Sequence, residues 1–186
     1  PDVLLHLAWG GLPNYASRHH LEVEAPLHTS FLTRALRNGT PHVIGIGTCF
    51  EYGLAEGQLT EDTPARPTTA YAEAKAKVHE SVRTAADAVG ASLTWLRPFY
   101  VYGEGQPTTS LWGQLHAAIA RGDAEFPMSP GDQSRDYLHF EEMGQLIAQI
   151  AIRPPGPHSV MNVCSGGATP IFDLVQAWIG VSGSSI

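Results

Sequence analysis

Three strand-length apolar runs, "DVLLHLAW" at 2–9, "PHVIGIGT" at 41–48 and "SLTWLRP" at 92–98, are separated by two stretches of helical length. An apolar run without polar alternation suits a strand buried on both faces, as a parallel strand between two helical layers is. The first helical stretch runs from about His20 to Asn38 and closes at Gly39. The second runs from about Ala70 to Val89 and closes at Gly90, where a left-handed cap favours glycine. Strand, helix, strand, helix, strand predicts an α/β fold with a doubly wound parallel sheet. Ligands of such sheets bind beyond the carboxyl ends of the strands. Those ends here read "AWGG", "TCFEYG" and "RPFYVYGEGQ".

After Gly105 the alternation is less regular. A helix near Ser110–Arg121 precedes the turn-rich "FPMSPGDQSRDYLHF", which holds a short strand. A helix from about Glu141 to Ile152, a strand "SVMNVC" and a helix capped by Thr169 with Pro170 at its first position follow. Residues 1–105 are therefore expected to supply the sheet, and 106–186 a smaller lobe, interleaved with that sheet and laid over its carboxyl edge. The chain starts almost within a strand and without methionine, so it reads as part of a longer protein.

Composition narrows the partners. With 18 acidic against 11 basic residues and no Lys/Arg cluster, a nucleic-acid backbone is not the expected ligand. No apolar run is long enough to span a bilayer and no leader opens the chain, which makes the cytoplasm the default. Cys49 and Cys164 form no CxxC pair and read as reduced, buried thiols. The histidines are scattered, His19 and His20 diverge on a helix, and no metal site is expected.

One position on the second helix does not fit a purely structural pattern. At about 100° per residue, Tyr71, Ala74, Val78, Val82, Ala85 and Val89 share a stripe that also contains Lys75, whereas Lys77 points away. Lys75 either snorkels past its apolar neighbours, with Tyr71 packing beside it, or its charge is used there. Thr48 closes the second strand, Tyr71 and Lys75 open the next helix, and "LRPFYVYG" closes the third strand. A hydroxyl, a phenol and an ammonium at one sheet edge are the equipment for moving a proton at a carbon–oxygen bond beside a hydride carrier.

The ordered set "HLAW", "GTCFEYG", "TEDTPARPTTAYAEAK", "LRPFYVYGEGQ", "SRDYLHFEEM" and "MNVCSGG" resembles the extended short-chain dehydrogenase/reductase family, in its NAD-dependent epimerase/dehydratase branch acting on nucleotide sugars. The resemblance covers nearly the whole chain. It implies a Rossmann-like fold, NAD or NADP as cofactor, and a homodimer built on a four-helix contact that includes the helix of Tyr71. It also implies Tyr71 as catalytic acid/base, Lys75 as the lysine that holds the nicotinamide ribose and lowers the phenol's pKa, and Thr48 as the hydroxyl on the substrate oxygen. Moving a tyrosine from about 10 to about 7 takes about 4 kcal/mol, and a unit charge near 4 Å at an effective dielectric of about 20 supplies about that. Leu7, Ala8, Trp9, Pro98 and Tyr100 are implied along the cofactor. Cys49, Phe50, Tyr100 and Arg135 are implied along the nucleotide-diphosphate sugar, with Arg135 on the diphosphate. Tyr100 stands where the family commonly has asparagine, and His6 alone would more often be a packed core histidine. Gly45-Ile46-Gly47 is not a dinucleotide fingerprint, because no third glycine follows at the required position; the family's glycine-rich turn would precede Pro1.

The residues after Thr48 bear on the reaction. Dehydratases of this family carry an Asp-Glu pair there, and Cys49 and Phe50 cannot replace two carboxyl groups. The remaining expectations are reduction of the C4 ketone of an NDP-4-keto-6-deoxyhexose, as in the dTDP-4-dehydro-6-deoxyglucose reductases that the wording most resembles, and C4 epimerisation. From another class comes a non-catalytic dinucleotide-binding sensor or scaffold.

Overall fold

The computed structural model describes residues 1–186. In chain order the strands and helices are β1 Leu4–His6, α1 Ala25–Arg37, β2 His42–Ile46, α2 Ala70–Val89, β3 Ser92–Pro98, β4 Tyr100–Tyr102, α3 Leu111–Arg121, β5 Ser134–Arg135, β6 Tyr137–His139, α4 Phe140–Ile152, β7 His158–Val163, β8 Thr169–Pro170 and α5 Ile171–Ser182. A π-helical turn, His20–Glu24, runs into α1, and a 3-10 turn, Cys49–Tyr52, follows β2. The chain divides into two compact units, Pro1–Pro98 with Gln145–Val163, and Phe99–Gly144 with Cys164–Ile186.

The first unit contains a parallel sheet in the order β1-β2-β3-β7, with Ile44 paired to Thr94 and Leu96 to Met161. This is a Rossmann-like α/β arrangement. Leu32, Leu36, Val43, Val78, Val82, Leu93 and Trp95 pack the core between sheet and helices. Truncating one such aliphatic side chain to alanine costs roughly 2–5 kcal/mol. Trp95 reaches its place because two glycines on β2 and just after it have no side chain. A Cβ on Gly45 would lie 2.5 Å from the indole ring, and one on Gly47 2.3 Å from the indole nitrogen. His79 of α2 stacks on the same ring at 4.8 Å.

Helix α2 begins as its sequence dictates: Thr69 caps the Ala72 N–H at 3.2 Å, and Gly90 closes the helix at φ 68°. Its buried face is Tyr71, Ala72, Ala74, Lys75, Val78, Val82 and Ala86. Val89, assigned to the stripe, is 47% exposed, because the last turn runs past the edge of the core.

The second unit is built on a core of Leu115, Ile171, Val175 and Trp178, against which Tyr102, Trp112 and Tyr137 pack. In it β4 pairs parallel with β6, and β5 antiparallel with β8. The sequence reading expected Thr169 to cap α5, whereas Thr169 lies in β8, opposite Arg135. No side-chain cap is required there, since the first amides of the helix, those of Ile171 and Phe172, donate to the carbonyls of Gln133 and Gly131. The first apolar run is likewise shorter as a strand than as a sequence, pairing only over Leu4–His6.

Candidate active site

Strand β2 ends at Ile46, and two residues later Thr48 stands in extended backbone as the N-cap of the 3-10 turn. Its Oγ1 accepts the Phe50 N–H at 3.3 Å. Its own N–H donates to Glu51 Oε1 at 3.0 Å, which completes a reciprocal capping box. Tyr71 sits in the first turn of α2, where an amide has no partner within the helix; the Tyr15 carbonyl accepts it at 3.0 Å. Lys75 follows one turn later on the same face.

Lys75 is 4% exposed. It donates to the Ile46 carbonyl at 2.8 Å and lies 3.8 Å from the centre of the Trp9 ring. The Tyr71 ring centre is 5.8 Å away. Trp9 is held in turn: its Nε1–H donates to His20 Nδ1 at 3.2 Å, and His28 stacks on it at 4.8 Å. The next amide, that of Gly10, donates to Glu24 Oε2 at 2.9 Å. Tyr15 presents its edge to both Phe50 at 5.2 Å and Tyr71 at 5.5 Å.

Burial governs the charges of this group. It pushes the Tyr71 phenol above its ordinary value, assisted by the fields of Tyr15, Glu51 and Cys49 and opposed by a hydrogen bond with the Thr48 side chain. It also draws Lys75 down from 10.5 to about 7, against the fields of Glu51 and Glu24. The Lys75 side chain itself faces Trp9 and the Ile46 carbonyl. His6, expected as a packed histidine, is drawn down to about 4 by burial, then by His28 and Lys75, and its Nε2 meets His28 Nδ1 at 3.1 Å.

The structure thus brings Thr48, Tyr71, Lys75 and Trp9 together in the first unit. Cys49 is buried and Phe50 half-buried beside Thr48, Leu7 and Ala8 are exposed beyond β1, and Pro98 ends β3. Tyr100 and Arg135 belong to the second unit, where the guanidinium lies 5.7 Å from the Tyr100 ring centre. With Phe126, Met128, Gln133 and Tyr137 they line a cavity of about 420 Å³. Arg135 is oriented by the Ser134 carbonyl at 2.9 Å and by Gln133 Oε1 at 2.9 Å. The adjacent Asp136 accepts the amides of Ser165 and Gly166 at 2.8 Å each.

Sequence reasoning passed over Glu51, Tyr15 and Glu24. Glu51 had a signal, a carboxylate three residues after a threonine at a helical start; Glu24 had one in its i,i+4 spacing to His28. Tyr15 had none.

The model of the family described as NAD dependent epimerase/dehydratase matches residues 1–164. A dTDP-6-deoxy-L-talose 4-dehydrogenase (NAD(+)) of Aggregatibacter actinomycetemcomitans is 26% identical over 180 residues, 96% of this chain and 65% of the relative. A UDP-glucose 4-epimerase of Corynebacterium glutamicum is 26% identical over 212 residues, 100% of this chain and 64% of the relative. The chain therefore spans somewhat under two thirds of the length of these relatives. Among solved structures, RMD from Pseudomonas aeruginosa complexed with NADPH superposes with a TM-score of 0.87 at 22% identity, covering 99% of this chain and 67% of that one.

Proposed function

The chain belongs to the NAD dependent epimerase/dehydratase family, and from that premise we propose that it reduces the C4 ketone of an NDP-4-keto-6-deoxyhexose with NADH or NADPH. The observation that carries the reading is the buried trio of Thr48, Tyr71 and Lys75 at the carboxyl ends of parallel strands.

The donors present fit the nicotinamide-ribose end of a dinucleotide. Of the three N–H bonds of the Lys75 ammonium the Ile46 carbonyl takes one, which leaves donors for ribose hydroxyls. When bound, the dinucleotide supplies or accepts hydride. In the reductive direction Thr48 Oγ1 holds the C4 oxygen, and Tyr71 gives it the phenolic proton as negative charge develops. Arg135 is assigned to the diphosphate, where its fork of donors matches phosphate oxygens, and Tyr100 to the cavity beside it. Cys49 and Phe50 border the sugar, Phe50 facing an apolar C6. Leu7, Ala8, Trp9 and Pro98 border the dinucleotide.

Dehydration is not proposed. Cys49 and Phe50 offer no acid–base pair, and the one carboxylate next to Thr48, that of Glu51, is wholly enclosed and bonded to Thr48, Trp95 and Arg97. C4 epimerisation uses the same trio and is the second reading, favoured by the kinship with a 4-epimerase. The exposed stripe Val23, Leu27 and Phe31 along the first helical segment supports a homodimer, and the reading carries with it a cytoplasmic location.

The test is to incubate the protein with dTDP-4-keto-6-deoxyglucose and NADH or NADPH, and to follow both coenzyme absorbance and sugar product. A reductase consumes coenzyme in step with product, and Tyr71→Phe lowers turnover by about 10²–10⁴-fold while nucleotide binding persists. Sugar interconversion without net coenzyme consumption selects the epimerase. Coenzyme binding that ignores Tyr71→Phe, with no turnover, selects a sensor.

A further inference from the structure

Along the first helical segment His20, Glu24 and His28 recur every fourth residue, and none is more than 8% exposed. Buried polar side chains cost stability unless they are bonded, and all three meet one corner of the chain, Trp9–Gly10. Glu24 takes the Gly10 amide at 2.9 Å, and His28 stacks on the Trp9 ring at 4.8 Å. His20, 0% exposed, uses both ring nitrogens. Nδ1 meets the Trp9 indole N–H at 3.2 Å, and Nε2 meets the Asn14 carbonyl at 2.9 Å. An indole only donates and a carbonyl only accepts, so Nδ1 carries the lone pair and Nε2 the proton. The two partners select one neutral tautomer. The fit extends to the loop itself: a Cβ on Gly11, at φ 79°, would lie 3.1 Å from His20 Cε1. A residue needed only to fill this space would require no polar atoms.

His20 thereby joins the two ends of one loop. At Trp9 the indole ring centre lies 3.8 Å from the Lys75 ammonium. Past Asn14 the Tyr15 carbonyl accepts the Tyr71 amide at 3.0 Å, and the Tyr15 ring meets the Tyr71 ring at 5.5 Å. The His20 ring also stands against Tyr71, with 5.3 Å between ring centres. We propose that His20 is a positioning residue for Lys75 and Tyr71: one neutral imidazole staples the 9–15 loop so that Trp9 locates the lysine ammonium and Tyr15 the first turn of α2. An aromatic face attracts an ammonium across its whole area, so the plane in which the indole is held decides where Lys75 comes to rest. The Ile46 carbonyl supplies the other fixed point, at 2.8 Å. The functional side of this inference rests on the roles proposed above for Tyr71 and Lys75.

The chain has only two lysines, Lys75 and Lys77, so protein labelled with ¹³C at lysine Cε gives two methylene signals. Protons over the face of an indole resonate upfield, so Lys75 should stand upfield of Lys77, which is exposed and paired with Glu73 at 2.7 Å. This readout needs neither coenzyme nor sugar, and its outcome is independent of whether the reaction has been assigned correctly. His20→Leu, which removes both bonds, should move the Lys75 signal most of the way to its position in Trp9→Leu, with Lys77 unmoved. His20→Gln, whose amide can accept from the indole and donate to the carbonyl, should stay nearer the wild type. A His20→Leu protein that is less heat-stable but keeps Lys75 at its wild-type position would reduce His20 to a packing residue and overturn the proposal. If His20→Leu does not fold, the wild type still decides. In protein labelled with ¹⁵N at histidine and tryptophan, His20 Nδ1 must be unprotonated and coupled through the hydrogen bond to the Trp9 indole nitrogen; the opposite tautomer would overturn the staple. Under the proposed reaction, His20→Leu should also weaken NADH or NADPH binding by about 2- to 10-fold, with His20→Gln in between. A Lys75 signal that moves as expected in a protein that binds no coenzyme would refute the reading of the site and leave the positioning role standing.

Discussion

Two strand ends of the first unit carry the same device with different counter-charges. Beyond β1, Glu24 accepts the Gly10 amide; beyond β2, Glu51 accepts the Thr48 amide. In both, a nearly or wholly buried carboxylate catches a main-chain N–H just past a parallel strand and fixes the loop that follows. The partners differ. Glu51 faces Arg97 and Trp95, whereas Glu24 faces His28 at 2.9 Å and His19 at 3.0 Å. A guanidinium stays charged throughout the working range, and an imidazole does not. The comparison teaches that one device can be closed by unlike donors: the loop carrying Thr48 is held through a guanidinium and an indole, the loop carrying Trp9 through two imidazoles.

The largest effect should come from removing each counter-charge. Arg97→Met leaves Glu51 buried without its cation and should cost roughly 3–5 kcal/mol. His28→Leu leaves Glu24 its bonds to Gly10 and His19 and should cost roughly 1.5–3 kcal/mol. Urea unfolding of the two variants measures the difference, and equal losses would remove the distinction between the clamps.

A smaller effect separates the clamps by pH. The Gly10 amide, with help from His28 and His19, holds the Glu24 carboxyl below its ordinary 4.5. A carboxyl depressed in the folded state stabilises the fold above its unfolded pKa, and the contribution is lost as pH falls through the folded one. The gap in urea midpoint between wild type and Glu24→Gln should therefore be widest near neutrality and close below about pH 4.5. A gap that stays constant down to pH 3 would mean that Glu24 acts by shape alone.

The smallest effect belongs to an ion pair in the open. Glu73 and Lys77 lie one turn apart with their side chains about half exposed, and Lys77→Ala should change stability by less than about 0.5 kcal/mol. A larger loss in the same urea measurement would show that exposed pairs on α2 rival the buried clamps.

What the sequence disclosed follows the range of the interactions involved. The ends of α2 are local: Thr69 reaches three residues, and Gly90 is demanded by its own backbone angle. The burial of Lys75 was legible for the same reason, because helical periodicity alone puts it beside Tyr71. The partners of Glu51 lie 44 and 46 residues away, and no spacing rule links them. Gly45 and Gly47 offered no reading in the sequence beyond a failed fingerprint, and their purpose appears only when Trp95 is in place against them. Thr169 misled because a threonine before proline and an apolar run looks like a cap, while the carbonyls that make one unnecessary come from the 131–133 segment.

The fit of Trp95 against Gly45 and Gly47 also limits how this protein can vary. Alanine at position 45 collides with the indole ring, and alanine at 47 with both the indole nitrogen and the Glu51 carboxylate. No single substitution at either glycine is neutral while tryptophan stands at 95, and a smaller residue at 95 first opens a void and leaves Glu51 short of a donor. Positions 45, 47, 51 and 95 consequently form an epistatic block. A lineage can leave this solution only through a less fit intermediate, and a library meant to retune the site should randomise the four together or leave them alone.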